Sequence, residues 1–291
     1  MLDAYLRETA ACATENQFNR VHIDLENRLL PSEAAQLVAE AGEAGVAYNE
    51  LARFWFGRMA AFLGRSALPI QRYARQPLGR SIAVYAVPAP PEVRRTRTLV
   101  VAFPGGLNRL MLPLAVFLQH CDGERFEFMI LKDDTRSHFA RGIEGFAPDM
   151  AGLVARLGPL AASGRYRRIV SFGTSSGGFP AFWTAIAHGH DRGVSIGGPS
   201  PDQMSEIEDV DPAPYRREIE ARAGALPELV YAYGERNPRD AAKARSNADY
   251  APMRTIAVPG VDDHNLLFEL LKRGELQAFL ERVLDAPRPP A

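Results

Sequence analysis

The sequence predicts an α/β protein: a largely parallel sheet with helices on both faces, preceded by a helical extension. Two observations carry this. From Ser81 to Asp285, short apolar runs stopped by glycine or proline alternate with segments of helical period, as strands joined by crossover helices would. Before them, residues 1–75 read as mostly helical. At 291 residues, 46% hydrophobic and 24% charged, the chain could form one large α/β domain or two modest ones. The expected division is a helical extension over 1–75 acting as lid or docking arm, an α/β domain over 76–285, and a disordered proline-rich tail, "APRPPA", over 286–291.

In "PSEAAQLVAEAG", Pro31 and Ser32 start a helix and Gly42 stops it. "YNELARFWFGRMAAFLG" sets Leu51, Phe54, Trp55, Met59 and Phe62 at helical spacing before Gly64, an aromatic stripe suited to docking on another surface. Strands are expected at "SIAVYAVPA" (81–89), "TLVVAFPGG" (98–106), "FEFMILKDD" (126–134), "RRIVSFG" (167–173), "GVSIGGPSP" (193–201), "ELVYAYG" (228–234) and "RTIAVPG" (254–260). Helices are expected over 147–164, after Gly178, and at the C-terminus, where Gly274 interrupts or eases the last one. Residues 199–226 are short and strongly acidic before Tyr215.

Several function classes are disfavoured. The net charge of −1 does not suggest a general nucleic-acid or anionic-membrane binder. Arg165, Arg167 and Arg168 read as a solvated edge. Two distant cysteines, Cys12 and Cys121, argue against a disulfide framework and for a reducing compartment. The first twenty residues lack a signal peptide's apolar region and no run suffices to span a bilayer, so a cytoplasmic protein is expected. His188 and His190 lack metal partners at ligand spacing and read as cations at a helix C-terminus. No fingerprint turn for a dinucleotide occurs; no metal and no cofactor is expected.

The chemistry concentrates in "RRIVSFGTSSGGFPAFWTAIAHG" (167–189), where Gly173-Thr174-Ser175-Ser176-Gly177 fits G-x-S-x-G between a strand and a helix. Such a turn lifts its serine above the sheet, the glycines admit close backbone, and the helix start offers N–H groups to an oxyanion. Ser175 is the expected nucleophile and Ser176 contributes its N–H. The bland alternative is a tight turn or a phosphate cradle, but no lysine follows the glycines.

A serine needs a base, and the base an orienting acid. Of the three histidines after Ser175, His188 and His190 sit at the far end of the following helix. His264 stands on a loop after the last strand, at the strand ends where such sites assemble. For the acid, "ERNPRDAAKA" offers Glu235 directly at the strand end and Asp240 further into the loop; Asp262 and Asp263 precede His264 on its own loop. Asp240 is the choice, with capping of the next helix as its competing role. The second oxyanion donor is expected in "FPGGL" (103–107), from Gly106 or Leu107 with Gly105 as pivot. An ordinary type II turn is compatible with that.

With "FPGG", "GTSSGG", "YGERNPRD" and "GVDDHN" in this order, the chain resembles the α/β-hydrolases over about residues 80–285. The resemblance implies that fold, Ser175 as nucleophile, His264 as base, Asp240 as acid, and Ser176 with the Gly105–Leu107 turn as oxyanion donors. Two positions depart from the family. Asn237 stands where many members have aspartate, so unless the acid has moved to Asp240 the base is held by an amide or by nothing. Phe103-Pro104 replaces the His-Gly of lipase-like members. "HFARGIEGFAPDM" and "GTSSGGFPA" resemble small esterase-like members, some associated with bacterial surface polysaccharides, which implies a small-molecule or glycan-linked acyl substrate. The leading expectation is a serine hydrolase of an ester or thioester. A silent scaffold binding a ligand or partner, and an acyltransferase using the same residues, are the alternatives. The sequence sets no oligomeric state.

Overall fold

The apolar runs become one eight-stranded sheet. Its strands are β1 (Ala74–Pro77), β2 (Ile82–Ala86), β3 (Thr98–Phe103), β4 (Phe126–Leu131), β5 (Arg168–Thr174), β6 (Arg192–Ile196), β7 (Glu228–Gly234) and β8 (Arg254–Val258). They lie in the order β1-β2-β4-β3-β5-β6-β7-β8. The structure is a computed structural model that describes residues 1–44 and 48–285; the tail expected over 286–291 lies outside the described residues. The six strands from β3 to β8 run parallel, whereas β2 is antiparallel to β4 and β1 antiparallel to β2.

Strand β1, with sequence ARQP, was not expected. It is exposed along its whole length and carries none of the alternation that marks a strand. Its pairing with β2 holds it, and proline is tolerated at such an edge. In contrast, β3 and β4 are buried at every position, which is why they read as continuous apolar runs.

Among the described residues, the helices are α1 (Leu2–Ala10), α2 (Glu15–Arg28), α3 (Pro31–Glu43), α4 (Glu50–Leu63), α5 (Pro91–Arg94), α6 (Leu114–Gln119) and α7 (Met150–Ala162). They continue with α8 (Gly178–His188), α9 (Pro201–Glu208), α10 (Ala213–Ala221), α11 (Pro238–Ala248), α12 (Leu266–Arg273) and α13 (Leu276–Asp285). The period of two along each strand divides the core into two layers. Val100, Ala102, Phe128, Val170 and Val230 face α1–α4, α6, α12 and α13. Leu99, Val101, Met129, Ile169 and Leu229 face α7, α8 and α11. The N-terminal helices therefore share an apolar layer with the sheet.

Three expectations need correction, and the acidic stretch gains elements that the sequence had not announced. The inner face of α4 consists of Ala52, Trp55, Phe56, Met59, Phe62 and Leu63. Phe54 is 68% exposed, because one residue along a helix is a rotation of about 100°; Arg58 lies over its ring. The acidic stretch 199–226 holds two helices. One starts at a capping box of Ser200 and Gln203, and the other is anchored by Tyr215, whose ring packs on Phe179 and Trp183. Arg167 and Arg168 are not merely a solvated edge: both bond Asp285 at the end of α13. Finally, His190 is no helix-end cation. It is 3% exposed, bonds Ser171 Oγ through Nδ1 at 2.9 Å, and is pushed down to about 3, chiefly by burial and then by His188 and Arg222.

His22 is similar. Its ring lies parallel to those of Tyr5 and Trp55, 4.8 Å from the latter, and its Nε2 lies 3.0 Å from Tyr5 Oη. Burial first, then Arg58, lowers it to about 4. Both histidines bind protons more weakly folded than unfolded, where the usual value is about 6.5. Their contribution to stability is thus complete above that value and is lost as pH falls through it towards the folded values. The melting temperature is expected to fall between pH 7 and 5, a range in which most carboxylates stay ionised. His22→Asn and His190→Asn should each make that fall shallower; an unchanged pH slope in the double variant would exclude these two groups as its source.

Candidate active site

Strand β5 ends at Thr174 and the chain turns at once through a short 3₁₀ segment, Ser175–Gly177, into α8. Ser175 has φ 50°, a left-handed conformation that costs a non-glycine residue about 1–3 kcal/mol and persists only where its surroundings enforce it. The glycines of the motif do the enforcing. A Cβ on Gly173 would come within 2.0 Å of the Gly177 carbonyl oxygen, and one on Gly177 within 1.9 Å of that of Phe103. Only bare backbone lets strand, turn and helix approach this closely.

Three expected residues meet here: Ser175 from the turn into α8, Asp240 from the first turn of α11, and His264 from the loop after β8. His264 Nε2 lies 2.9 Å from Ser175 Oγ, and His264 Nδ1 lies 2.7 Å from Asp240 Oδ2. A neutral imidazole serves both contacts only with its proton on Nδ1, donating to the carboxylate, while Nε2 accepts from the serine hydroxyl. The His264 side chain is 41% exposed and that of Asp240 2%, so the line runs from solvent into the protein.

The other candidate acids lie elsewhere. Glu235 accepts from the Gly260 N–H, and Asp263 accepts from the Asn265 N–H on the His264 loop. Asn237 is the N-cap of α11 and its Oδ1 accepts from the Asp240 N–H at 3.1 Å. The capping role weighed for Asp240 thus belongs to Asn237, and the side chain three residues on is free to meet the imidazole.

Two contributors had not been singled out. Lys243, one turn after Asp240 on α11, donates to Asp240 Oδ1 at 2.9 Å and to the Gly197 carbonyl at 3.1 Å. The Asp-x-x-Lys spacing was the available signal. Gly197, with φ 63°, turns the chain after β6; a Cβ there would lie 2.8 Å from His264 Cε1 and 3.1 Å from Asp240 Oδ2. Burial of Asp240 acts to raise its pKa, but hydrogen bonds from His264 and Lys243, with their charges, outweigh it and hold the carboxyl below its usual value. The group at the end of the line is a stable anion.

Above Ser175, the Gly105 N–H donates to the Arg109 carbonyl at 2.9 Å and the Asn108 N–H to the Gly105 carbonyl at 2.8 Å. Gly105 is therefore committed within the turn, and a Cβ on it would sit 3.1 Å from Ser175 Cβ. The N–H groups of Gly106 and Leu107 make no hydrogen bond among the described residues. Ser176 stands in the first helical turn, where N–H groups have no partner inside the helix. Among the described residues, no three histidine, cysteine, aspartate or glutamate side chains gather so as to hold a metal ion. No described helix is long and apolar enough to cross a membrane.

No protein-family model and no curated protein matches the chain. Among solved structures it is similar to the siderophore hydrolase EstB from Aspergillus nidulans, at 14% identity and TM-score 0.49, covering 77% of this chain and 100% of that one. It is also similar to esterase B from Lactobacillus rhamnosis, at 14% identity and TM-score 0.47 over 82% and 96% of the two chains. A third is dienelactone hydrolase from Anabaena variabilis, at 16% identity and TM-score 0.43 over 73% and 97%. Likeness at this level concerns the path of the chain and says nothing of substrate. The sheet itself, with an antiparallel pair at one edge and a serine turn leaving its fifth strand, is consistent with the α/β-hydrolase fold.

Proposed function

We propose that the chain is a serine hydrolase that cleaves a carboxylic ester or thioester through an acyl-enzyme on Ser175. The observation that carries this reading is the unbroken line from Ser175 Oγ through His264 to the buried Asp240 carboxylate, at 2.9 and 2.7 Å.

In this reading Ser175 Oγ attacks the acyl carbonyl while its proton passes to His264 Nε2. The imidazolium so formed is stabilised by Asp240, which stays ionised because Lys243 and the imidazole both bond it. The oxyanion of the tetrahedral intermediate accepts hydrogen bonds from the N–H groups of Ser176 and of Gly106 or Leu107. Collapse expels the alcohol or thiol, protonated by His264, and leaves the acyl group on Ser175. Water, deprotonated by the same imidazole, then releases the acid. The substrate proposed is a small-molecule or glycan-linked acyl compound. The cytoplasmic setting belongs to the same proposal and rests on Cys12 and Cys121, both free thiols.

Treatment of the purified protein with a fluorophosphonate, followed by peptide mapping, should place one label per chain on Ser175. Ser175→Ala should abolish labelling and His264→Ala should slow it severely. A folded wild-type protein that takes no label would remove the activated serine and leave the silent scaffold.

Asp240→Asn should preserve the fold and lower kcat on an activated ester about 10,000-fold, since the amide favours the wrong imidazole tautomer. Asn237→Ala acts on the cap instead and should cost about 1 kcal/mol of stability in a denaturant titration. A fall of similar size in kcat for both variants would show that the two side chains do not divide the work as described.

A further inference from the structure

The four N-terminal helices supply no atom to the line at Ser175, yet α2 ends against the turn that would hold the oxyanion. We propose that this arm positions the turn, with Glu26 and Arg109 as positioning residues. The catalytic consequence rests on the hydrolase reading above; the mechanical tie does not.

Glu26 lies in the last turn of α2 and is only 3% exposed. Its Oε1 accepts from Trp55 Nε1 at 3.0 Å and from Arg58 Nη2 at 2.5 Å, both on α4. Its Oε2 stands 2.8 Å from Arg109 Nη2. Next to it, Asn27 Oδ1 accepts from Arg109 Nε at 3.1 Å. One guanidinium is thus held by two consecutive residues of the arm, through an ion pair to Glu26 and a hydrogen bond from Nε to Asn27.

The backbone of Arg109 passes this constraint to the site. Its carbonyl accepts from the Gly105 N–H at 2.9 Å and from Thr174 Oγ1 at 3.3 Å. Thr174 immediately precedes the serine, and Gly105 immediately precedes the two unpaired N–H groups. The loop needs outside ties, because Asn108 and Met111 hold left-handed φ values of 55° and 61° and Leu107 is 66% exposed. Besides the Thr174 bond, one tie comes from the loop after β4, where Asn108 Oδ1 accepts from the Asp133 N–H at 2.9 Å; another comes from the arm.

Position and stability can be separated here. An unpaired buried carboxylate is costly, but Arg109→Gln leaves Glu26 bonded to Trp55 and Arg58, so the arm keeps its fold while the turn loses its grip. The test compares full-length wild type, Arg109→Gln, Arg109→Lys and Glu26→Gln by two readouts. Amide hydrogen exchange at Gly105 and Asn108, whose N–H groups are bonded within the turn, should quicken about tenfold or more in Arg109→Gln while β5 stays protected. With a p-nitrophenyl ester, kcat per fluorophosphonate-titrated serine should fall about 10- to 100-fold with KM nearly unchanged, as for displaced oxyanion donors. The pH profile should keep its shape because His264 is untouched, and Arg109→Lys should recover only part of the loss. Glu26→Gln should move both readouts in the same direction by less.

A merely structural role would lower the melting temperature and the titratable fraction but not kcat per titrated serine. Unchanged exchange in Arg109→Gln overturns the positioning role whether or not the wild type hydrolyses an ester. Faster exchange with unchanged kcat per titrated serine overturns its catalytic consequence. A wild type that neither labels nor turns over sinks the hydrolase reading alone.

Discussion

Ser175 sits with a left-handed backbone between a strand and a helix, and the rest of the structure is arranged around keeping it there. That conformation persists because β3 and β5 are neighbours in register, Phe103 beside Gly173, which brings the Phe103 carbonyl against Gly177. The order β4-β3-β5-β6 places the turn after β3 on one side of the serine and the turn after β6 on the other. Strand order, motif glycines and backbone strain are thus one constraint seen at three scales.

The acid loop illustrates a second division of labour. A carboxylate at the start of a helix is drawn towards the free N–H groups there. Had Asp240 capped α11, it would have been spent on the backbone. Asn237 satisfies the Asp240 N–H instead, and proline at the first helical position needs no partner. Asp240 can then be buried facing His264, with Lys243 completing its hydrogen bonds. A buried anion without such donors would take up a proton and lose its hold on the imidazole.

The strands β3 to β8 were readable because each is a compact apolar run, ended by glycine or proline in all but β4, and the convergence of Ser175, His264 and Asp240 followed from chain order. What escaped was whatever owes its place to partners rather than to pattern. Strand β1 has no periodicity and exists by pairing with β2. Helices α9 and α10 bury chiefly Met204 and Tyr215, too little apolar surface to announce them. Phe54 and Phe56 could be told apart only once the inner face of α4 was known. His190 looked like a charged helix end because sequence does not report that the ring is buried against Ser171 of β5. Lys243 lay within a quoted segment, but an i,i+3 lysine is so common on helix surfaces that only the buried carboxylate gives it meaning.

The arm poses the same question at the scale of a domain. Its apolar faces merge with the layer above β3, β4 and β5, so nothing in its packing alone separates it from an ordinary cover on the sheet. The polar contacts do separate it. A buried glutamate shared by an indole and two guanidiniums is poor value as a source of stability, since well-packed apolar side chains would serve as well or better. What such a group provides and an apolar contact does not is direction: its charge, with the Asn27 Oδ1 bonded to Nε, fixes where Arg109 lies. Direction is of little use under a plain cover and of great use beside a turn whose N–H groups, in the proposed mechanism, meet an oxyanion. The arrangement is therefore better explained by placement of the turn than by stabilisation of the arm.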